Sequence, residues 1–234
     1  MQYENIYPGI FLDRPNRFIA NIEIGGKTEV CHVKNTGRCR ELLIPGAEVY
    51  VQKADSPSRK TKYDLIAVYK GKMLVNMDSQ LPNKLVEEWI RAGGFGPGIT
   101  LVRREVKYGN SRFDLYVERG EQKIFIEVKG VTLEENGVAS FPDAPTERGV
   151  KHLNELCECV KDGYDAYVIF VIQMKGVRLM TPNWKTHAAF GEALQKASES
   201  GVHILACDCL VQPEHIVLDQ PVPVILEAPG SARE

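Results

Sequence analysis

Two segments near the middle of the chain, residues 112–118 and 124–130, alternate apolar and polar side chains along most of their length. A period of two is typical of a β-strand with one buried face. Gly120 lies between them, at the first central position of a two-residue turn, where glycine adopts positive φ without steric cost. The pattern predicts a β-hairpin, and it therefore determines which residues face one another.

Counting outward from this turn predicts the cross-strand pairs Val117–Ile124, Leu115–Ile126 and Asp114–Glu127. The alternation predicts one apolar face, formed by Phe113, Leu115, Val117, Ile124, Ile126 and Val128. Asp114, Glu127 and Lys129 are then expected on the other face. Carboxylates directly opposite each other repel and are therefore unfavourable without a cation. This face is for that reason typical of a hydrolase site that binds a divalent metal. The alternative is a solvated hairpin face, since exposed strands commonly carry charges.

Composition places few limits on function. The chain has 234 residues, 44% of them hydrophobic and 26% charged, which suits one large or two small globular domains. Residues 1–82 hold 12 Lys and Arg against 9 Asp and Glu, whereas residues 83–234 hold 17 against 22. No signal peptide or membrane-spanning stretch is recognisable. Six cysteines without a Cys-x-x-Cys motif favour reduced thiols and a cytoplasmic location.

The front part of the chain, residues 8–77, has the pattern of five or six short strands separated by glycine turns. Short strands in this number predict an OB-like β-barrel, and we assign it to residues 1–82. Candidate nucleic-acid-binding residues in this barrel are Arg14, Arg17, Lys34, Arg38 and Arg40. OB-folds bind single strands through such basic surfaces. The alternative is that these charges only solvate the outside of the barrel.

The remaining residues, 83–234, have the pattern of an α/β domain. Asn83 is the predicted N-cap of a helix over residues 84–91, and Thr146 is the predicted cap of a second helix. Residues 166–171 are apolar on both faces, which is typical of a central strand in a parallel pairing. Together these elements predict a mixed sheet covered by helices.

The second predicted helix has two distinct sides. Its buried stripe is predicted to consist of Val150, Leu153, Cys157 and Val160. The side chains expected largely outside this stripe are those of Arg148, Lys151, His152 and Glu155. His152 is therefore predicted to be a surface or helix-capping histidine, with a role as a proton shuttle as the less favoured alternative.

Several motifs together resemble the sugar fermentation stimulation protein family of bacteria and archaea. They lie at residues 35–38, 45–46, 105–109, 112–114, 125–129 and 141–153. The resemblance implies an N-terminal OB-like domain followed by a restriction-endonuclease-like domain of the PD-(D/E)XK type. It also implies non-specific DNA binding, a regulatory role in sugar (maltose) use, and nuclease activity on DNA or RNA.

The resemblance also assigns roles to the residues of the hairpin. Asp114 matches the aspartate of the PD-(D/E)XK motif, and residues 127–129 match its Glu-x-Lys. Asp114, Glu127 and the Val128 carbonyl would hold Mg²⁺ or Mn²⁺, since these ions prefer oxygen ligands. Lys129 would orient the attacking water or stabilise the transition state. The family's helix motif selects Glu88, rather than Glu87, as a further catalytic acid.

The expected partner is DNA or RNA, and no membrane partner is expected. Arg148 and Lys151 would contact substrate phosphates, and Arg112 is a further candidate nucleic-acid-binding residue. The leading hypothesis is a metal-dependent nuclease; the alternatives are a non-catalytic DNA-binding regulator of sugar metabolism and a structural protein. The sequence leaves homo-oligomerisation open.

Overall fold

The computed structural model describes residues 1–35, 37–55 and 59–230. Thr36, which belongs to the motif at residues 35–38, lies outside the described residues. The front part of the chain forms six strands: β1 (Ile6–Asn16), β2 (Ile19–Ile24), β3 (Lys27–Val33), β4 (Glu48–Lys53), β5 (Tyr63–Lys70) and β6 (Met73–Asn76).

These strands form a closed barrel. They are arranged in the order β3-β2-β1-β4-β5-β6, and a parallel pairing of β3 with β5 joins the two sides of the sheet. Five strands therefore complete the barrel, and β6 extends it from β5. The barrel is filled by fully buried apolar side chains, including Phe11, Ile22, Val33, Val51 and Leu65. This architecture confirms the predicted OB-like barrel.

The rest of the chain contains three helices and two sheets within the described ranges. The elements are α1 (Pro82–Arg91), β7 (Ile99–Tyr108), β8 (Ser111–Arg119), β9 (Gln122–Val131), β10 (Glu134–Glu135), β11 (Val138–Phe141), α2 (Glu147–Lys161), β12 (Asp165–Ile172), β13 (Leu179–Pro182), α3 (Ala188–Glu199), β14 (His203–Val211) and β15 (Ile216–Pro221). Strands β10, β11 and β13 form a small sheet.

The larger sheet has the strand order β15-β14-β12-β9-β8-β7. Central strand β12 runs parallel to both β9 and β14, and the other pairings are antiparallel. Helix α1 packs on one face, where Leu85 and Ile90 join a cluster with Ile126. Helices α2 and α3 cover the opposite face, where Phe125 and Phe170 are buried. The predicted mixed α/β sheet is confirmed.

The predicted cap of α1 is wrong, whereas that of α2 is confirmed. Helix α1 begins at Pro82, and its N-cap, Leu81, makes no side-chain capping bond. Proline favours the first helical position because its fixed φ suits the helix and the missing N–H has no helical partner there. Asn83 consequently lies inside the first turn, where its amide is free for other contacts. In α2 the Thr146 hydroxyl accepts a hydrogen bond from the Gly149 amide at 3.1 Å.

The barrel and the α/β part are joined by buried polar contacts. Gln173 is 1% exposed, and its Nε2 lies 3.0 Å from Asn76 Oδ1 and 3.0 Å from the Asp78 carbonyl. Residues 1–3, which we assigned to the barrel, instead pair with the α/β part through backbone bonds to residues 214–216. No helix within the described ranges is both long and apolar enough to cross a membrane.

We expect Gln173→Ala to lower the free energy of unfolding by about 2 kcal/mol, because it leaves buried carbonyl oxygens without a donor. Urea denaturation measures this change. Gln212→Ala is the matched control: Gln212 is exposed, and its loss should cost less than about 0.5 kcal/mol. Equal stabilities for the two variants would contradict the structural role of Gln173.

Candidate active site

The central hairpin has the predicted turn and register. Gly120 has φ +59°, and the pairs Leu115–Ile126 and Val117–Ile124 are present. Beyond Leu115, however, β8 and β9 are no longer paired, so the predicted cross-strand pair Asp114–Glu127 is wrong. On the other side of β8, the ladder to β7 lacks a pair between Asp114 and Glu105, whose φ is +53°. Asp114 therefore lies at an interruption of both ladders.

The Asp114 carboxylate replaces the missing backbone contacts. Its Oδ2 accepts a hydrogen bond from the Val128 amide at 2.8 Å, and its Oδ1 accepts one from Asn83 Nδ2 at 2.8 Å. Because the N–H and C=O of one strand residue point to the same side, the Val128 carbonyl faces the same opening. Asp114 is thus held between helix α1 and strand β9, next to the carbonyl oxygen of Val128.

The interruption also corrects the predicted face of Phe113. The Phe113 ring lies 5.4 Å from the Phe125 ring and 6.0 Å from His152, under helix α2. Leu115 belongs to the cluster under α1 on the opposite face. Regular alternation would place Phe113 and Leu115 on one face, so the reversal at Asp114 separates them.

Glu127 is the most enclosed acid of the site, at 3% exposure. Its Oε1 accepts hydrogen bonds from Lys129 Nζ and from His152 Nδ1, each at 2.6 Å. Its Oε2 is buried and has no partner among the described residues. A buried carboxylate oxygen without a partner is costly, and a cation bound beside Asp114 would satisfy it. The donor set therefore fits a hard divalent metal ion.

The two carboxyl groups differ in their electrostatics. Burial and then the repulsion of Glu127 raise the pKa of Asp114. Burial also acts to raise the pKa of Glu127, but the hydrogen bond from His152 and the charge of Lys129 outweigh it and lower that pKa below its usual range. Neighbouring groups whose pKa values are pushed apart are typical of functional sites. A divalent cation would remove the repulsion that Asp114 experiences.

The structure contradicts the predicted surface position of His152. This residue is 5% exposed, and its Nε2 accepts a 3.4 Å hydrogen bond from Arg148 Nε. The buried residues of α2 include Gly149, His152, Leu153 and Leu156, which follow the i, i+3, i+4, i+7 pattern of a buried helix face. That spacing was visible in the sequence.

The hydrogen bond from Asn83 to Asp114 was not predictable from the sequence, because it depends on where α1 begins.

The structure does not bring Glu88 to the carboxylate pair. Glu88 has a side chain 44% exposed, and it forms a 2.9 Å ion pair with the amino group of Met1. Glu87 pairs instead with Arg91 and Arg104. Within the described ranges no three His, Cys, Asp or Glu side chains are grouped closely enough to hold a metal ion. The third acid that the family resemblance implies is therefore absent from the described arrangement.

Two clefts collect most of the predicted nucleic-acid-binding residues. The first, of about 490 Å³, is lined by Asn110, Ser111, Arg112, Glu147, Arg148, Lys151 and His152; we call it the α2 cleft. The second, of about 510 Å³, includes Arg14, Arg17, Arg38, Arg40 and Asp143; we call it the barrel cleft. Cations from separate elements thus converge on each cleft.

Arg14 and Lys34 are occupied by structural contacts. The Arg14 guanidinium donates to the carbonyls of Arg17, Asn35, Gly37 and Arg38, at 2.6–2.8 Å. Lys34 pairs with Asp64 and Asp78, at 3.3 and 3.4 Å. Arg14 therefore holds the loop that presents Arg38, and Lys34 neutralises buried acids, so neither is placed as a free phosphate ligand.

Known protein families match both parts of the chain. The family model described as the sugar fermentation stimulation protein RE domain matches residues 80–215, and the SfsA N-terminal OB domain matches residues 12–77. Sugar fermentation stimulation protein homologs of Ruminiclostridium cellulolyticum and Clostridium beijerinckii are each 62% identical over 226 residues, covering 97% of this chain and 100% of the relative.

A solved structure is similar over the same length. It is that of Pyrococcus furiosus SfsA in complex with Ca²⁺, which is 30% identical in sequence and superposes with a TM-score of 0.87. The match covers 96% of this chain and 98% of the other chain. The arrangement of barrel and mixed sheet is therefore shared with an experimentally determined fold.

We expect His152→Leu to lower the free energy of unfolding by about 2 kcal/mol or more, because it leaves a buried carboxylate with one donor fewer. His152→Asn is the matched variant, since its amide nitrogen can take the place of Nδ1, and it should recover part of the loss. Urea denaturation of both variants checks this. A leucine variant as stable as the unaltered chain would show that the hydrogen bond to Glu127 does not contribute to the free energy of unfolding.

Proposed function

The chain belongs to the sugar fermentation stimulation protein family, and we propose that it is a metal-dependent nuclease that binds nucleic acid without strong sequence preference. The observation that carries this proposal is the buried Oε2 of Glu127, on the strand next to that of Asp114, which has no partner among residues 1–35, 37–55 and 59–230. A buried carboxylate pair with an unsatisfied oxygen favours a bound cation, and the basic clefts favour a bound polyanion. Metal-dependent hydrolysis of phosphodiesters uses both a cation and a polyanionic substrate.

Asp114, Glu127 and the Val128 carbonyl would hold the ion, which we propose to be Mg²⁺ or Mn²⁺. The related Pyrococcus furiosus structure was determined with Ca²⁺, an ion that shares their preference for oxygen ligands. Such an ion, when bound, neutralises phosphate charge and activates water for attack. The geometry of Asp114 and Glu127 is set by their hydrogen bonds to Val128, Asn83, Lys129 and His152.

Lys129 is the catalytic cation of the proposal. Its side chain is 15% exposed and its ammonium is bonded to Glu127, so we propose that it is held in place yet can reach a substrate. From there it would orient the attacking water or stabilise the negative charge that develops on the phosphorus oxygens. We assign His152 a positioning role, because it bonds to the same oxygen of Glu127 as Lys129 does.

The barrel cleft is the proposed surface for the rest of the DNA or RNA strand. Arg17, Arg38 and Arg40 are exposed there, and the Arg17 guanidinium lies 5.8 Å from the centroid of the Phe18 ring. Phe18 is 49% exposed, so its ring is available for stacking on a base. Cations and an exposed aromatic ring are the combination that binds single strands with little sequence preference.

Six unpaired cysteines support a cytoplasmic location.

One observation favours a second candidate, a non-catalytic DNA-binding regulator of sugar metabolism. No third acid joins Asp114 and Glu127 within the described ranges, whereas the barrel cleft is independent of that pair. Such a protein would bind nucleic acid equally well in EDTA and would lose affinity steeply with salt.

To test catalysis, the purified chain is incubated with labelled single- and double-stranded DNA and RNA in Mg²⁺, Mn²⁺ or EDTA. We expect cleavage with a metal and none in EDTA. Glu127→Gln should lower the rate at least about 100-fold, because it removes charge that binds the ion. Gel electrophoresis of the products measures this.

Glu158→Gln is the control, since Glu158 is exposed on the outer side of α2 and should leave the rate unchanged. The same assay on Glu88→Gln should give a rate within about twofold of the unaltered chain, as for other surface substitutions. Cleavage that persists in EDTA, or in Glu127→Gln, would refute the mechanism. Binding without cleavage in any metal would favour the regulator.

A further inference from the structure

We propose that the α2 cleft is a subsite for one phosphate group of the polynucleotide, and that the hydroxyl of Ser111 is a hydrogen-bond donor to it. The inference rests on the proposed nuclease function and specifies how the substrate is held beside the carboxylate pair. Ser111 is the first residue of β8 and follows the turn that leaves β7. It was not among the residues that the sequence pointed to.

The first observation is an unsatisfied hydroxyl. Ser111 is 5% exposed and lines the α2 cleft, yet its Oγ has no hydrogen-bond partner among the described residues. A buried polar group without a partner costs free energy and calls for a specific explanation. Because a serine hydroxyl turns about a single bond, it can donate to an acceptor that enters the cleft.

The second observation is the set of cations around this hydroxyl. Arg112, Arg148 and Lys151 are exposed, and their contacts are long. Arg112 lies 3.4 Å from an exposed Glu105, and Lys151 lies 3.8 Å from Glu155. These side chains are therefore free to reorient toward an anion.

The cleft also contains one acid, Glu147, which does not cancel these charges. Its side chain is 88% exposed and its carboxylate bonds to His187 at 3.1 Å. The guanidinium groups of Arg112 and Arg148 and the ammonium of Lys151 can donate to the several oxygens of a phosphate. A guanidinium group can bind two of those oxygens at once. The chemistry of the cleft thus favours phosphate.

The third observation is the position of the cleft relative to Glu127. His152 lines the α2 cleft with one side and bonds to Glu127 with the other. Arg148, which would bind the phosphate, contacts His152 directly. A phosphate bound here lies one side chain away from the carboxylate pair, as expected of the group next to the bond that is cut. It is either an internal phosphodiester or a terminal phosphate.

The test measures binding in EDTA, where no cleavage occurs. Fluorescence anisotropy of a labelled single-stranded oligonucleotide, about 10 nucleotides long, gives the affinity over a series of salt concentrations. Loss of a phosphate contact lowers the salt dependence, log K against log salt, by roughly 0.7. The double variant Arg148→Ala/Lys151→Ala removes the cations that hold this one phosphate and should therefore lower the slope by roughly 0.7. The control Lys161→Ala/Lys196→Ala removes two exposed charges from α2 and α3 outside the cleft and should leave the slope unchanged.

Ser111→Ala should weaken binding about fivefold without changing the slope, since a neutral hydroxyl releases no counterion.

Equal slopes for the two double variants would overturn the subsite. Oligonucleotides with and without a terminal phosphate distinguish the two sources: a loss seen only with the phosphorylated one identifies a terminal group, and an equal loss identifies an internal one. Altered slopes in a chain that does not cut would keep the subsite and refute the nuclease.

Discussion

The hydrogen bond from the Val128 amide to the Asp114 carboxylate is the interaction on which the rest of the site depends. Strand β8 loses its backbone pairing on both sides at Asp114, and buried backbone donors must be satisfied. The carboxylate supplies the missing acceptor and is thereby fixed beside Glu127. A gap in a sheet is in this way converted into a place where two acids, a carbonyl and an ion can meet.

The surrounding residues hold the two acids without neutralising them completely. Asn83 binds one oxygen of Asp114, while Lys129 and His152 share a single oxygen of Glu127. The other Glu127 oxygen has no partner in the part of the chain that the structure describes, and the pKa of Asp114 stays raised. A fold alone does not determine activity. The physical basis of the functional proposal is that these two acids still lack positive charge and lie beside the basic α2 cleft, which His152 lines.

Much of this was predictable from local pattern. The alternation and Gly120 determined the hairpin register, and short strands with glycine turns indicated the barrel. The rest depended on long-range geometry. The position of Asn83 depends on where Pro82 starts helix α1, and the side of Phe113 depends on a backbone reversal that periodicity assumes away. Glu88 was chosen by family resemblance, whereas its contact with Met1 arises only because the N-terminus folds onto the α/β part of the chain.

Anomalous diffraction from a crystal soaked in Mn²⁺ is the decisive measurement of whether Asp114 and Glu127 hold a divalent cation, as proposed. We expect an anomalous peak coordinated by both carboxylates and by the Val128 carbonyl, and no such peak in Glu127→Gln. A fully soaked crystal with no peak between Asp114 and Glu127, or with Lys129 Nζ occupying that position, would contradict it.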